Sequence, residues 1–122
     1  MKDIVIDCSN AASLARFWAS ALDAFEVRPY DDAEIGRLAE LGHTPDTDPT
    51  VMVDGPTYSL CFQEVPEPKL SKNRIHVDLA CVDRLTTAER LVELGASIHA
   101  QHEDHTVLID PEGNEFCLYG AR

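Results

Sequence analysis

An imidazole and a carboxylate two positions apart, His76 and Asp78, share one face of the stretch 73–83 when it is read as a single strand. Ile75, Val77, Leu79 and Cys81 fall on the other face, which is apolar and calls for a helix over it. A purely structural strand has no need of ionisable groups on its second face. The same alternation puts Asp3 and Asp7 on one side of the stretch 3–8, Gln63 beside Cys61 on 58–64, and Glu115, Cys117 and Tyr119 on one side of 115–119. Cys61 apart, these side chains bring four carboxylates, an imidazole, a thiol, an amide and a phenol to one expected concave face, and they are the candidate ligand-cavity residues. Burying that many carboxylates costs roughly several kcal/mol unless they are paired, solvated or metal-bound, so a wet, polar cavity is the economical reading. The plainer alternative is that some of them bind strand-end amides or sit at a solvated rim.

Other chemistries find less support. Cys117 as a nucleophile would need a base, and only His76 is available to serve. No serine stands in a nucleophile-elbow context, and no glycine-rich phosphate loop is present. His99, His102 and His105 recur every third residue across a hairpin connection. In a strand that spacing alternates faces, so their convergence on a metal is not expected.

The elements that would hold these groups occur twice. A shift of 73 residues lays Asp3-Ile4-Val5-Ile6-Asp7-Cys8 on His76-Val77-Asp78-Leu79-Ala80-Cys81, with Asp3 on His76. Identity is slight, but the order of strand, capped helix and strands repeats, as expected when one unit cannot bury its apolar face alone. In the first copy Ser9 or Asn10 can cap a helix whose stripe is Leu14, Phe17, Trp18, Ala21 and Leu22, which makes Trp18 a core residue. The stretches 25–30, 50–54 and 58–64 follow as strands. In the second copy Thr86-Thr87-Ala88-Glu89 reads as a capping box, with Ala88, Leu91 and Val92 toward the sheet and Gly95 ending the helix. The stretches 97–101, 105–109 and 115–119 complete it, the last two joined by the turn Asp110-Pro111-Glu112-Gly113-Asn114. The expectation is an α+β fold of two βαβββ modules, 1–65 and 73–122, joined by a linker at 66–72 carrying Pro66 and Pro68, in one domain of 122 residues. Their sheets would curve around a central cavity with the helices outside. A helix at about 31–42, capped by Asp31 with Glu34, has no counterpart in the second half, and is a candidate lid or interface element.

The chain holds 22 acidic against 10 basic side chains, a net charge of −12, which argues against nucleic acid or an anionic membrane as partner and favours a cationic ligand. No apolar run approaches a membrane span, and Asp3 and Asp7 interrupt the only candidate for a signal segment. Cys8, Cys61, Cys81 and Cys117 lie in apolar runs without a close-spaced pair, which suggests reduced thiols and a cytoplasmic setting.

Ile6-Asp7-Cys8-Ser9-Asn10 with Phe17-Trp18, the run 62–67, Lys72-Asn73-Arg74-Ile75-His76-Val77-Asp78-Leu79 and Asp110-Pro111-Glu112-Gly113-Asn114-Glu115-Phe116 together resemble the vicinal oxygen chelate superfamily, specifically its glyoxalase-like members akin to glyoxalase and bleomycin-resistance proteins. The resemblance spans nearly the whole chain apart from 31–48. It implies metal-ligand positions at Asp3, near Gln63, His76 and Cys117, of which only His76 is the usual residue; histidine is usual at Asp3 and glutamate at Cys117. Glu115 lies two residues before Cys117, displaced by about 6–7 Å along the strand. The expectation is therefore a small-molecule binder, non-catalytic or of the resistance type that sequesters its ligand, with no resident cofactor and with His76 as a hydrogen-bonding group. The alternative is a metal-dependent lyase, isomerase or dioxygenase-like enzyme using Asp3 and His76, with Cys117 as a third ligand if a divalent metal is bound. Family members are often dimers, which makes a homodimer an expectation as well.

Overall fold

The computed structural model describes residues 1–121, which fold as two compact units dividing after Pro68. The first runs β1 (Asp3–Cys8), α1 (Ala11–Ala21), β2 (Glu26–Val27), α2 (Asp32–Glu40), β3 (Thr50–Asp54) and β4 (Ser59–Glu64). The second runs β5 (Asp78–Asp83), α3 (Arg84–Leu94), β6 (Ser97–Gln101), β7 (His105–Ile109) and β8 (Glu115–Ala121). Each has a four-stranded mixed sheet, ordered β1-β4-β3-β2 and β5-β8-β7-β6, in which the first strand runs parallel to the last and the rest are antiparallel. The βαβββ duplication is thus present in the fold, with α2 as an addition to the first copy.

Alternation along the strands decides which face each helix covers. In the first unit Val51, Val53, Leu60 and Phe62 share a face and are buried, and α1 packs there through Leu14, Phe17 and Trp18. Trp18 is core, its ring edge-on to Phe17 at 5.2 Å. Asn10 is the residue that caps α1, its side chain accepting from the Ser13 amide, while Glu64 of β4 accepts from the Ala11 amide and ties the helix start to the sheet. In the second unit Leu108, Phe116 and Leu118 are buried beneath Ala88 and Leu91 of α3.

Three local expectations are corrected. The stretch 73–83 is not one strand: β5 begins at Asp78, and Ile75 is 84% exposed. Asn73 causes the departure, because its side chain donates to the carbonyls of Ile75 and Glu115, accepts from the Glu115 amide, and its own amide donates to the Glu115 carboxylate. These bonds satisfy the backbone in place of a ladder, although Cys117 still donates to the Val77 carbonyl. The helix of the second unit, α3, starts three residues early, with Asp83 rather than Thr86 as its cap: Asp83 accepts from the Thr86 amide, and Val92 turns to solvent. The strand expected at 25–30 contracts to Glu26–Val27, with one further ladder bond from the Arg28 amide to the Met52 carbonyl.

The expected turn at 110–114 is built on buried Asp110, which accepts from the Glu112 and Asn114 amides and from the Asn114 side chain. At the far end of β8, Gly120 has φ +156°, and an added Cβ would lie 2.3 Å from the Cys81 carbonyl oxygen. Replacing Gly120 by alanine is expected to loosen the β5–β8 pairing and lower unfolding stability by about 1–3 kcal/mol. Urea denaturation of the two proteins checks this, and an unchanged midpoint would contradict it.

Candidate functional site

With one sheet face covered by a helix, the other carries the polar side chains in both units. In the second unit the parallel register sets Asp78 beside Cys117 and Ala80 beside Tyr119, and the antiparallel register sets His105 beside Tyr119. Neighbours in register project to the same side of the sheet. His76, just before the strand, reaches the same place: its Nε2 lies 3.3 Å from Asp78 Oδ1. One donor atom from each of His76, Asp78 and Cys117 falls within 4.8 Å of the other two, and these three form the group with metal-binding spacing found among the described residues.

The electrostatics of the cluster favour a protonated thiol. Burial pushes the Cys117 thiol up from its ordinary value, and the neighbouring Asp78 carboxylate, as a charge and as an acceptor, pushes it the same way. Tyr119 is raised for the same reasons, burial first and then the charge on Asp78. The phenol and the thiol are therefore neutral hydrogen-bond donors beside an imidazole and an exposed carboxylate.

Of the other expected site residues, Glu115 is engaged elsewhere. Burial works against its ionisation, but bonds from the Asn73 amide and its own backbone and from the Lys69 ammonium, 3.3 Å away, outweigh that and hold its carboxyl below the usual range. Its role is to hold the segment 69–73 against β8. Asp3, Asp7 and Gln63 belong to the first unit, on the uncovered face of its sheet, with Asp7 beside Gln63 and Asp3 beside Ser59 in the β1–β4 register.

Two features of these faces escaped the sequence. His102 and His105 do come together, their rings stacked at 4.5 Å and 21°, and His105 stacks in turn on Tyr119 at 5.0 Å and 19°. Face alternation does not govern them because a tight turn intervenes, closed by the His102 amide on the His105 carbonyl. His99 has no part in the stack. On the first unit's open face Arg28 grips Asp54 through two bonds of 2.7 and 2.9 Å, and the Ser59 hydroxyl donates to the same carboxylate at 2.7 Å. The signal was the parity that places Arg28, Asp54 and Ser59 on one face, which becomes visible only once strand pairing is known.

A helix-backed, four-stranded mixed sheet occurring twice in the order βαβββ is the architecture of the glyoxalase and bleomycin-resistance superfamily. The glyoxalase-like domain profile matches residues 3–119, and the chain belongs to that family. No curated protein matches it in sequence. Among solved structures, the fosfomycin resistance protein FosX from Mesorhizobium loti superposes with a TM-score of 0.68 at 12% identity, over 100% of this chain and 91% of that one. A glyoxalase/bleomycin resistance protein/dioxygenase family enzyme from Burkholderia phytofirmans PsJN gives 0.65 at 12% identity, over 99% and 98%. The trypanothione-dependent glyoxalase I of Leishmania major gives 0.63 at 16% identity, over 98% and 85%. At these identities the likeness is one of fold.

Two expectations follow from the charges. With its thiol held neutral and buried, Cys117 should react with iodoacetamide at pH 8 more slowly than a free thiol, and faster in Asp78→Asn at unchanged stability. Peptide mapping by mass spectrometry separates it from the other cysteines, and labelling of the native protein at the free-thiol rate would contradict the assignment. Asp54 is held at about 2, first by its bond from Arg28 and then by that from Ser59, against an ordinary 3.8. A depressed folded value stabilises above the ordinary value and is lost as the pH falls toward 2. Thermal melts between pH 5 and 2 should show that loss, and Arg28→Gln should flatten it.

Proposed function

We propose that this protein binds a small organic molecule at the polar cluster of its second unit, with His76, Asp78, Cys117 and Tyr119 as hydrogen-bonding groups and no reaction performed on the ligand. The observation that carries the reading is the register that sets the buried Cys117 thiol beside the Asp78 carboxylate: burial and that charge both disfavour the thiolate, so the thiol is neither a ready nucleophile nor a ready metal ligand. Exposed Asp78, in a chain of net charge −12, favours a ligand that presents a cationic or donor group. Structural neighbours described as a fosfomycin resistance protein and a trypanothione-dependent glyoxalase I support a small-molecule ligand through the shared fold. No described helix is long and apolar enough to cross a membrane, in keeping with a ligand met in solution.

A second reading rests on the spacing of the same three donors. Imidazole, carboxylate and thiolate are all zinc ligands, so the cluster fits a divalent cation in kind. Its separations of up to 4.8 Å are wider than bonds of about 2.0–2.3 Å demand, so the side chains would have to draw together. Bound there, the ion would act as a Lewis acid toward a ligand oxygen. His76 and Asp78, 3.3 Å apart, already stand at ligand spacing, whereas Cys117 would have to approach them and give up its proton. That reading makes the protein a metal-dependent lyase, isomerase or dioxygenase-like enzyme.

Elemental analysis of the purified protein decides between the two. The expected result is no stoichiometric metal, together with thermal stabilisation by members of a small organic-cation panel that is abolished in His76→Ala. Near one equivalent of zinc, nickel, iron or manganese, lost in His76→Ala along with catalytic turnover, would overturn the first reading in favour of the second. A homodimer belongs to the proposal too, and light scattering on the eluting species measures it.

A further inference from the structure

The helix with no counterpart in the second unit roofs a cavity of its own. Between α2, the end of β2 and β3 lies an open pocket of about 470 Å³, within the range of small-molecule sites, lined among others by Tyr30, Glu34, Arg37, Leu38, Leu41 and Met52. All of its lining residues belong to the first unit, so it is separate from the His76 cluster. The charges around it are unevenly satisfied. Arg28 is held by Asp54 through two bonds, and Asp48, buried at the wall, accepts from the Tyr30 hydroxyl at 2.7 Å and the Thr50 amide at 3.0 Å. Glu34 and Arg37 differ. They stand three residues apart on α2, both at the pocket, and neither side chain makes a hydrogen bond or ion pair among the described residues, although Glu34 feels the charge of Arg28 across the pocket.

That spacing puts their Cβ atoms about 5–6 Å apart, side by side on the helix surface. Between them and the strand the surface is apolar. Leu38 is fully buried, Met52 lines the sheet side, and Leu41 stands 65% exposed at the rim, where a bound apolar group would cover it. A lone anion would suit Arg37 but meet Glu34, and a lone cation would meet the reverse, so charge complementarity selects a ligand carrying both signs close together.

We propose that the pocket under α2 binds a compact zwitterion with an apolar substituent, of the chemical class of a free α-amino acid. The ammonium goes to Glu34, the carboxylate to Arg37 and the side chain onto Leu38, Leu41 and Met52. The added helix is thereby a ligand-recognition element, and its site works independently of the one proposed in the second unit.

The test uses the whole purified protein and three probes titrated by calorimetry: L-leucine, N-acetyl-L-leucine, which lacks the ammonium, and L-leucinamide, which lacks the carboxylate. L-Leucine should bind in the millimolar range or tighter, and each singly charged analogue at least about tenfold more weakly, as expected for loss of one charge-assisted contact. Glu34→Gln should abolish the preference for L-leucine over its N-acetyl form, and Arg37→Gln the preference over the amide. Both positions are exposed enough on α2 for the fold to persist, which circular dichroism verifies. His76→Ala should leave L-leucine binding unchanged. Absence of L-leucine binding, equal binding of the N-acetyl form by the native protein, or binding indifferent to both substitutions would each overturn the proposal.

Discussion

Both units depend on one backbone constraint, the parallel pairing of the first strand with the last. It runs Asp3 to Ser59 through Cys8 to Glu64 in one and Asp78 to Cys117 through Ala80 to Tyr119 in the other. A parallel pair cannot be closed by a tight turn, so the chain must cross over, and the crossover begins with the helix that buries one face of the sheet. The same register fixes which side chains stand next to each other on the face left open. Asp78 beside Cys117 and Asp7 beside Gln63 are consequences of hydrogen-bond bookkeeping between strands far apart in sequence. A slip of one residue would bury the carboxylates under the helix and expose Phe62 or Phe116, so the apolar face enforces the polar one.

Local signals carried much of this. The repeat was legible because the pattern of alternation and caps recurs even where identities do not, and the turn at 110–114 because Asp110 and Asn114 satisfy each other within five residues. The start of the first helix and the burial of Trp18 followed from side chains within one or two turns. What failed depended on distant partners. Nothing near residue 73 announces that Asn73 will bond Glu115, 42 positions on, and so draw 73–77 out of the strand. Asp83 and Thr86 both look like caps, and the choice turned on where β5 ends. The histidines were read by strand parity, which holds only until the chain turns.

The candidate sites show the same division. Sequence parity placed His76 and Asp78 on one face, but their approach to Cys117 and the engagement of Glu115 by Lys69 and Asn73 required tertiary structure. The pocket under α2 was invisible for a related reason. Arg28, Asp48 and Met52 become neighbours of Glu34 and Arg37 only once the helix has settled on the strand.

Net charge alone is a poor guide to what such a molecule binds. At −12 the chain as a whole repels anions at long range, yet the carboxylates differ sharply in what they offer locally. Asp54 and Asp48 are saturated by Arg28, Ser59, Tyr30 and a backbone amide, and Glu115 by Asn73 and Lys69. Carboxylates engaged in this way position backbone and other side chains, and contribute little to ligand selection. Asp78 is the contrasting case in the second unit: half exposed, it faces a neutral thiol and a histidine rather than a permanent cation, so its charge is left for whatever arrives. Selectivity in this fold therefore follows from which acids the framework leaves uncompensated, and the strand register decides that before any ligand is present.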